Sequence, residues 1–329
     1  MYIDFQKFSG QRNFGIELEI GNEVALSTIA SVIRASSSFP LRSNLYNRSV
    51  NNNFWDLKLD GSCGKITDSY GINEGGFEIA TFKASSASQL NHIGKIARKI
   101  KKVGVKTNDN CGLHVHVDVF DFTEEDMGKL IAAWLCVERV LLTATPKRRR
   151  YNKYCVPVRN FNRFEKSSDA NMNFLDVWEY FKPNNTNPHN NTHRRRTMNL
   201  LNYYRFKKIK NYRRSTVEFR FPEGTLVESN ITNWTKLLVN FVNGVRNLDF
   251  DFDFSKQYDL HKILFILGLG HDKEKFTILS DSLRETKIWF LRRLIRYSYD
   301  SYMDYSFDSE VLRATACDIL KKMGENCVA

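Results

Sequence analysis

Three observations predict an α+β protein built on a mostly antiparallel sheet, with helices flanking it and a helical C-terminal region. Short runs of alternating apolar and charged residues dominate the first third of the chain. Segments with helical periodicity lie between them, and longer amphipathic segments follow residue 226. No internal repeat is visible.

Taken in order, NFGIELEI (13–20), FWDLKLD (54–60), GGFEIATF (75–82) and GLHVHVDVF (112–120) read as strands, because β-prone residues alternate with polar ones and turn residues bound the runs. ALSTIASVIRASS and SASQLNHIGKIARKIKKVG between them read as helices. Thr123 opens a T-x-x-D capping box, and MGKLIAAWLCVERVLLTA continues as a helix until Pro146 stops it. Residues 150–214 read as irregular and polar, with the Asn-rich PNNTNPHNN at 183–191 an exposed loop. STVEFRFPEGT (215–225) is a fifth strand. NITNWTKLLVNFVNGVRNL, YDLHKILFILGLG, SDSLRETKIWFLRRLIRYS and SEVLRATACDILKKM then supply the helices of the C-terminal region. The expected organisation is a sheet-bearing core at 1–226 with a helical region at 227–329 packed on it.

With 329 residues, 42% of them hydrophobic, the chain can bury a large core. No run approaches the roughly 18 apolar residues of a membrane span, and MYIDFQKFSG lacks the order of a signal peptide, so a cytoplasmic location without membrane contact is expected. Six cysteines never fall as CxxC, and reduced thiols are expected. The net charge of +12 is concentrated at KRRR (147–150), RRR (194–196) and the basic residues of 207–214. Such clusters attract polyanions: ATP, an acidic protein segment or nucleic acid. No zinc finger, RNA-recognition signature or helix-turn-helix accompanies them.

The alternation also assigns the chemistry to one face. Glu17 and Glu19 share a face opposite Ile16, Leu18 and Ile20, with roughly 7 Å between them. In CGLHVHVD, His114, His116 and Asp118 lie opposite Leu113, Val115 and Val117. Glu78 alternates with Phe77 and Ile79, and Glu218 and Arg220 alternate with Val217, Phe219 and Phe221. A merely wet face would carry mixed Lys, Thr, Ser and Gln. Carboxylates with few histidines suit a hard cation, Mg²⁺ or Mn²⁺, whereas zinc wants more nitrogen and sulfur. Arg220 cannot bind metal, but its fork matches phosphate oxygens. Metal, phosphate and arginine together point to phosphoryl transfer. There is no P-loop, kinase motif set or GxSxG elbow. An H-x-H-x-D-H metallo-hydrolase would need histidine where Val119 stands. An amidohydrolase barrel would need further alternating strands and helices instead of a helical last third.

The ordered set GIELE, D-G-S (60–62), G-F-E-I (76–79), CGLHVHVD and T-V-E-F-R followed by G-T (216–225) resembles the putative amidoligase family of carboxylate-amine ligases, over roughly residues 12–226. RYNKYC (150–155) and MNL (198–200) are similar to its middle region. The resemblance implies a curved antiparallel sheet of the glutamine synthetase and glutamate-cysteine ligase type. It implies ATP and Mg²⁺ as cofactors, and an acyl phosphate that an amine attacks to give an amide. By motif it makes Glu17, Glu19, Glu78 and Glu218 metal ligands, with one of His114 and His116 completing a site or contacting phosphate. Arg220 would stabilise the transferring phosphoryl group, and Asp60 would stand at the mouth as metal ligand or amine-binding acid. Asn199 falls, with His114 and Arg220, among the residues expected to hold the nucleotide, and His116 joins Arg220 and Asp60 as a catalytic candidate. Ala80 stands where family members often carry serine, and the Asn-rich tract has no family counterpart.

Two other readings remain open on these residues. A kinase on the same scaffold would use the same metal and phosphate groups, and a basic nucleic-acid-binding protein would use the Arg and Lys clusters. The expected substrates are an amine and a carboxylate, carried by small molecules, peptides or protein side chains.

Overall fold

All five runs read as strands form strands. The computed structural model describes residues 12–21, 23–43, 53–66, 73–158, 173–183, 191–248, 252, 258–270, 281–298 and 309–327. Among them, β1 (Phe14–Ile20), β2 (Leu41–Arg42), β3 (Trp55–Ile66), β4 (Asn73–Ala80), β5 (Leu113–Asp118), β6 (Met198–Asn199) and β7 (Thr216–Phe219) form one open mixed sheet in the order β2-β3-β4-β1-β5-β7-β6. Only β2 and β3 run parallel; every other pair is antiparallel. β1 therefore sits centrally, between β4 and β5, which places both of its glutamates in the middle of the sheet.

The apolar side of each alternation is buried. Ile16, Leu18, Ile20, Leu57, Ile79, Leu113, Val115, Val117, Val217 and Phe219 join one hydrophobic cluster with helices α1 (Leu26–Ser36), α2 (Ala87–Lys102), α3 (Glu124–Thr143) and α8 (Glu228–Val245). Thr123 caps α3 as its sequence predicts: the Asp126 N–H donates to Thr123 Oγ1 at 3.0 Å, and the Thr123 N–H donates to Asp126 Oδ2 at 2.9 Å. The later helices α9 (Leu260–Ile266), α10 (Asp281–Ser298) and α11 (Ser309–Lys322) contribute Leu264, Phe290, Leu294 and Leu320 to the same cluster.

Two expectations change. The stretch 150–214 carries α4 (Lys147–Arg150) at its edge and then α5 (Phe174–Phe181), α6 (Asn191–Arg194), β6 and α7 (Leu201–Lys208). α5 is started by Asn173, whose side chain accepts the Asp176 N–H at 3.0 Å, and is held by buried Val177, Trp178 and Phe181. Apart from Pro183 and Asn191, the Asn-rich tract lies outside the described residues. Cys317 and Cys327 form a disulfide, because the chain reverses after α11 at Gly324 (φ 76°) and returns to the helix; Cys63, Cys111, Cys136 and Cys155 are free and buried. Among the described residues no helix is long and apolar enough to cross a membrane.

Candidate active site

Strand register, more than sequence neighbourhood, assembles the polar groups. Glu17 stands opposite His114, Glu19 opposite Glu78, and His116 opposite Glu218. Lys58 is paired across β3 and β4 with Glu78, and Asn199 across β6 and β7 with Glu218. Directly opposed residues on one face bring their Cβ atoms to roughly 5 Å, so six strands converge on one polar surface.

His114 is its centre. The ring is 1% exposed. Nδ1 lies 3.2 Å from Glu17 Oε2 and 3.6 Å from Glu218 Oε1, and Nε2 lies 3.3 Å from Glu19 Oε1. His116 Nε2 lies 3.3 Å from Glu17 Oε1. Neither Nε2 has a hydrogen-bond partner, although buried polar atoms are ordinarily satisfied. The Arg220 guanidinium bonds Glu218 and also reaches His114 Nδ1 at 3.5 Å. The Asn199 amide donates to Glu218 Oε2 at 2.6 Å, and the Gly112 N–H donates to Glu19 Oε2 at 2.5 Å. Lys58 bonds Glu78.

Burial and charge then set the proton affinities. Burial opposes ionisation of Glu17, but His116 and His114 together hold its carboxyl well below the usual range. Glu218 is likewise lowered: burial works against its charge, and Arg220, His116 and His114 outweigh it. His116 is raised, with Glu17 and Glu218 overcoming desolvation. Glu78 goes the other way. Burial first and the Glu17 charge second push it up to about 8, with Lys58 only partly compensating. A sheet face that must keep one carboxyl protonated at neutral pH carries more acid than its own cations balance.

Among the described residues two groups of ligand-type atoms result, each with its members within 4.8 Å of one another: Glu17, His114 and Glu218, and separately Glu19, Asp60 and Cys63. The structure thus brings Glu17, Glu19, Glu78, His114, His116, Asn199, Glu218 and Arg220 to one surface, with Asp60 beside Glu19 where β3 bulges. Asp118 shares the face of β5 but is engaged structurally, accepting Ser215 Oγ at 2.6 Å and the Phe120 N–H at 3.2 Å. Sequence reasoning missed Lys58 and Cys63. The alternation in FWDLKLD carried the signal for Lys58, since its position matches Asp56 and Asp60 on the polar side. It also missed Arg149, which lies behind Gly112 and donates to the Arg220 and Phe221 carbonyls, and which the KRRR run had suggested was a surface charge.

A protein-family model described as putative amidoligase enzyme matches residues 10–242. The chain belongs to this amidoligase family. No curated protein matches it. The matched span runs from the segment before β1 into α8 and contains every residue of the two ligand groups.

Proposed function

We propose that the protein is an ATP- and Mg²⁺-dependent carboxylate-amine ligase, whose fold is of the glutamine synthetase and glutamate-cysteine ligase type. The observation that carries this reading is the Glu17, His114 and Glu218 group with Arg220 bonded to its edge. Two lowered carboxyls and the His114 Nδ1 that lies 3.2 Å from one and 3.6 Å from the other fit a divalent cation, Mg²⁺ or Mn²⁺, and the Arg220 fork fits phosphate oxygens. Glu19 and Glu78 extend the acidic surface on which further charge can be neutralised. When bound, the cation would neutralise phosphate charge as the phosphoryl group is transferred.

The chain's own groups divide the remaining work. Arg220 steadies the phosphoryl oxygens while a substrate carboxylate takes the γ-phosphate of ATP and ADP leaves. The amine then attacks the acyl phosphate carbon, the C–O bond to phosphate breaks, and inorganic phosphate leaves as the amide forms. His116, which Glu17 and Glu218 make hold its proton more tightly, is suited to stabilise negative charge on the phosphoryl oxygens, and the amine's proton leaves to solvent. Asn199 holds Glu218 in place and, with His114, borders the nucleotide. Asp60 stands where β3 bulges, suited to an ammonium substrate or a cation.

The test is ADP release with Mg²⁺ and a panel of amine and carboxylate pairs. Glu17→Gln and Glu218→Gln are expected to leave the far-ultraviolet dichroism intact and lower turnover at least a hundredfold. Turnover unchanged in either variant overturns the assignment. The same assay separates a kinase, since its product gains a phosphoryl group whereas ligation joins two reactants with loss of water. Nucleic-acid binding draws less support, because Arg149, Arg150 and Arg196 of the basic runs are buried.

A further inference from the structure

The second ligand group differs from the first in containing sulfur. Glu19 comes from β1, while in β3 Asp60 borders and Cys63 lies within the irregularity between Asp60 and Lys65. Asp60 and Glu19 are pre-oriented by bonds that leave a ligand oxygen unused, and the Cys63 thiol lies 3.7 Å from the Ser62 hydroxyl and bonds the Cys111 thiol. Asp60 Oδ1 accepts both the Ser62 N–H at 2.8 Å and the Ser62 hydroxyl at 2.7 Å, leaving Oδ2. Glu19 Oε2 takes the Gly112 N–H, leaving Oε1. The Cys63 carbonyl accepts the Asn108 side chain at 2.6 Å, which fixes the backbone that carries the thiol. This is the outer-shell support that metal ligands ordinarily have.

A second, independent observation points the same way. His114 is almost fully buried, its Nε2 has no hydrogen-bond partner, and that atom lies 3.3 Å from Glu19 Oε1. Its other ring nitrogen faces Glu17 and Glu218. One imidazole therefore stands between two ligand groups and presents a nitrogen to each.

We propose that Glu19, Asp60 and Cys63 form a cation site of their own, selective for a thiophilic divalent ion of the zinc class, with His114 Nε2 as its adjoining nitrogen. Mg²⁺ demands oxygen ligands and does not take thiolate, whereas mixed oxygen, nitrogen and sulfur sets favour zinc and the later transition metals. On binding, the Cys63 S–H bond breaks heterolytically, the proton leaves to solvent and the sulfur lone pair bonds the metal, with no change of oxidation state. The site does not rest on the ligase reading, since it concerns metal capture by the resting protein.

Cobalt(II) reports sulfur ligation directly. The full chain, under argon and without added reductant so that the Cys317–Cys327 disulfide stays closed, is titrated with Co²⁺ in excess Mg²⁺. The expected result is a sulfur-to-cobalt charge-transfer band that saturates at one equivalent and is displaced by Zn²⁺. Cys63→Ser abolishes the band, Asp60→Asn weakens cobalt binding at least tenfold, and Glu218→Gln and Cys111→Ser keep the band. Far-ultraviolet dichroism checks that Cys63→Ser, a buried change, has folded; Asp60→Asn, at a half-buried position, carries the test if it has not. Absence of the band in the wild type, its removal by Mg²⁺, its survival in Cys63→Ser, or unchanged affinity in Asp60→Asn overturns the proposal.

Discussion

At the scale of single residues, Glu78 separates folding from function. Its carboxyl, pushed up to about 8 by burial and then by Glu17, is neutral in the metal-free fold at neutral pH. In the unfolded chain it ionises near the ordinary carboxylate value, about 4.3. The unfolded state therefore gains as pH rises between those values: whatever Glu78 contributes is present at low pH and lost on approach to pH 8. Glu17 and Glu218 have the opposite sign, since their lowered carboxyls stabilise the fold above the ordinary value and lose that contribution in acid. Comparing wild type with Glu78→Gln isolates the first effect. Without metal, the variant is expected to be more stable by about 2 kcal/mol at pH 8 and to converge with wild type near pH 5, as read by urea unfolding at both pH values. A gap that is constant with pH would show that Glu78 is already ionised in the fold. Gly112 gives a second prediction. A Cβ there would meet His114 Nε2 at 2.8 Å and also press on the Arg149 guanidinium. Gly112→Ala is expected to displace the imidazole and weaken divalent-ion binding at least tenfold, measured by calorimetry, while most of the sheet persists.

At the scale of elements, the period-two alternation made the long strands legible and with them the polar face, because the same rule that turns Leu18 into the apolar core turns Glu17 and Glu19 to the opposite face. Strand order was not legible. That Glu17 meets His114 and Glu19 meets Glu78 depends on register between segments about 60 to 100 residues apart in the chain, which local pattern does not encode. Two-residue strands such as β2 and β6 carry too few side chains to show alternation, so Asn199 was reached by resemblance and its bond to Glu218 only by structure. α5 escaped for a related reason: eight residues make about two turns, too short for helical periodicity to stand out from a polar stretch. Its packing is nonetheless tight. A Cβ at Gly128 of α3 would press into the Phe174 carbonyl at the start of α5. Gly128→Ala is therefore expected to cost about 1–3 kcal/mol despite its better helix propensity. A stabilised variant in thermal melts would show that α5 can move away from α3 without loss.

At the scale of the whole molecule, a buried cation ties the C-terminal helices to the strands that carry the site. Arg293 of α10 donates to the Ala144 carbonyl at 2.9 Å and to Glu223 Oε1 at 2.6 Å, and its guanidinium lies 5.0–5.3 Å from the ring centres of Trp234, Trp289 and Tyr297. Glu223 bridges in turn to Gly112, and the Gly224 N–H donates to the Cys111 carbonyl at 3.0 Å, which positions the approach to β5 and hence His114. Removing one partner of such a pair leaves a desolvated charge, at a cost of about 3–5 kcal/mol, whereas removing both charges can be nearly neutral. Arg293→Met is therefore expected to lose about that much stability in urea unfolding and to weaken divalent-ion binding at the remote site. Adding Glu223→Gln should restore most of both. If the two substitutions are simply additive, the pair does not act as a unit; the C-terminal helices would then be held by apolar packing and by other polar bonds such as Arg150 to the Tyr297 carbonyl at 2.7 Å, and the Arg293–Glu223 pair would not couple them to the strand that carries His114.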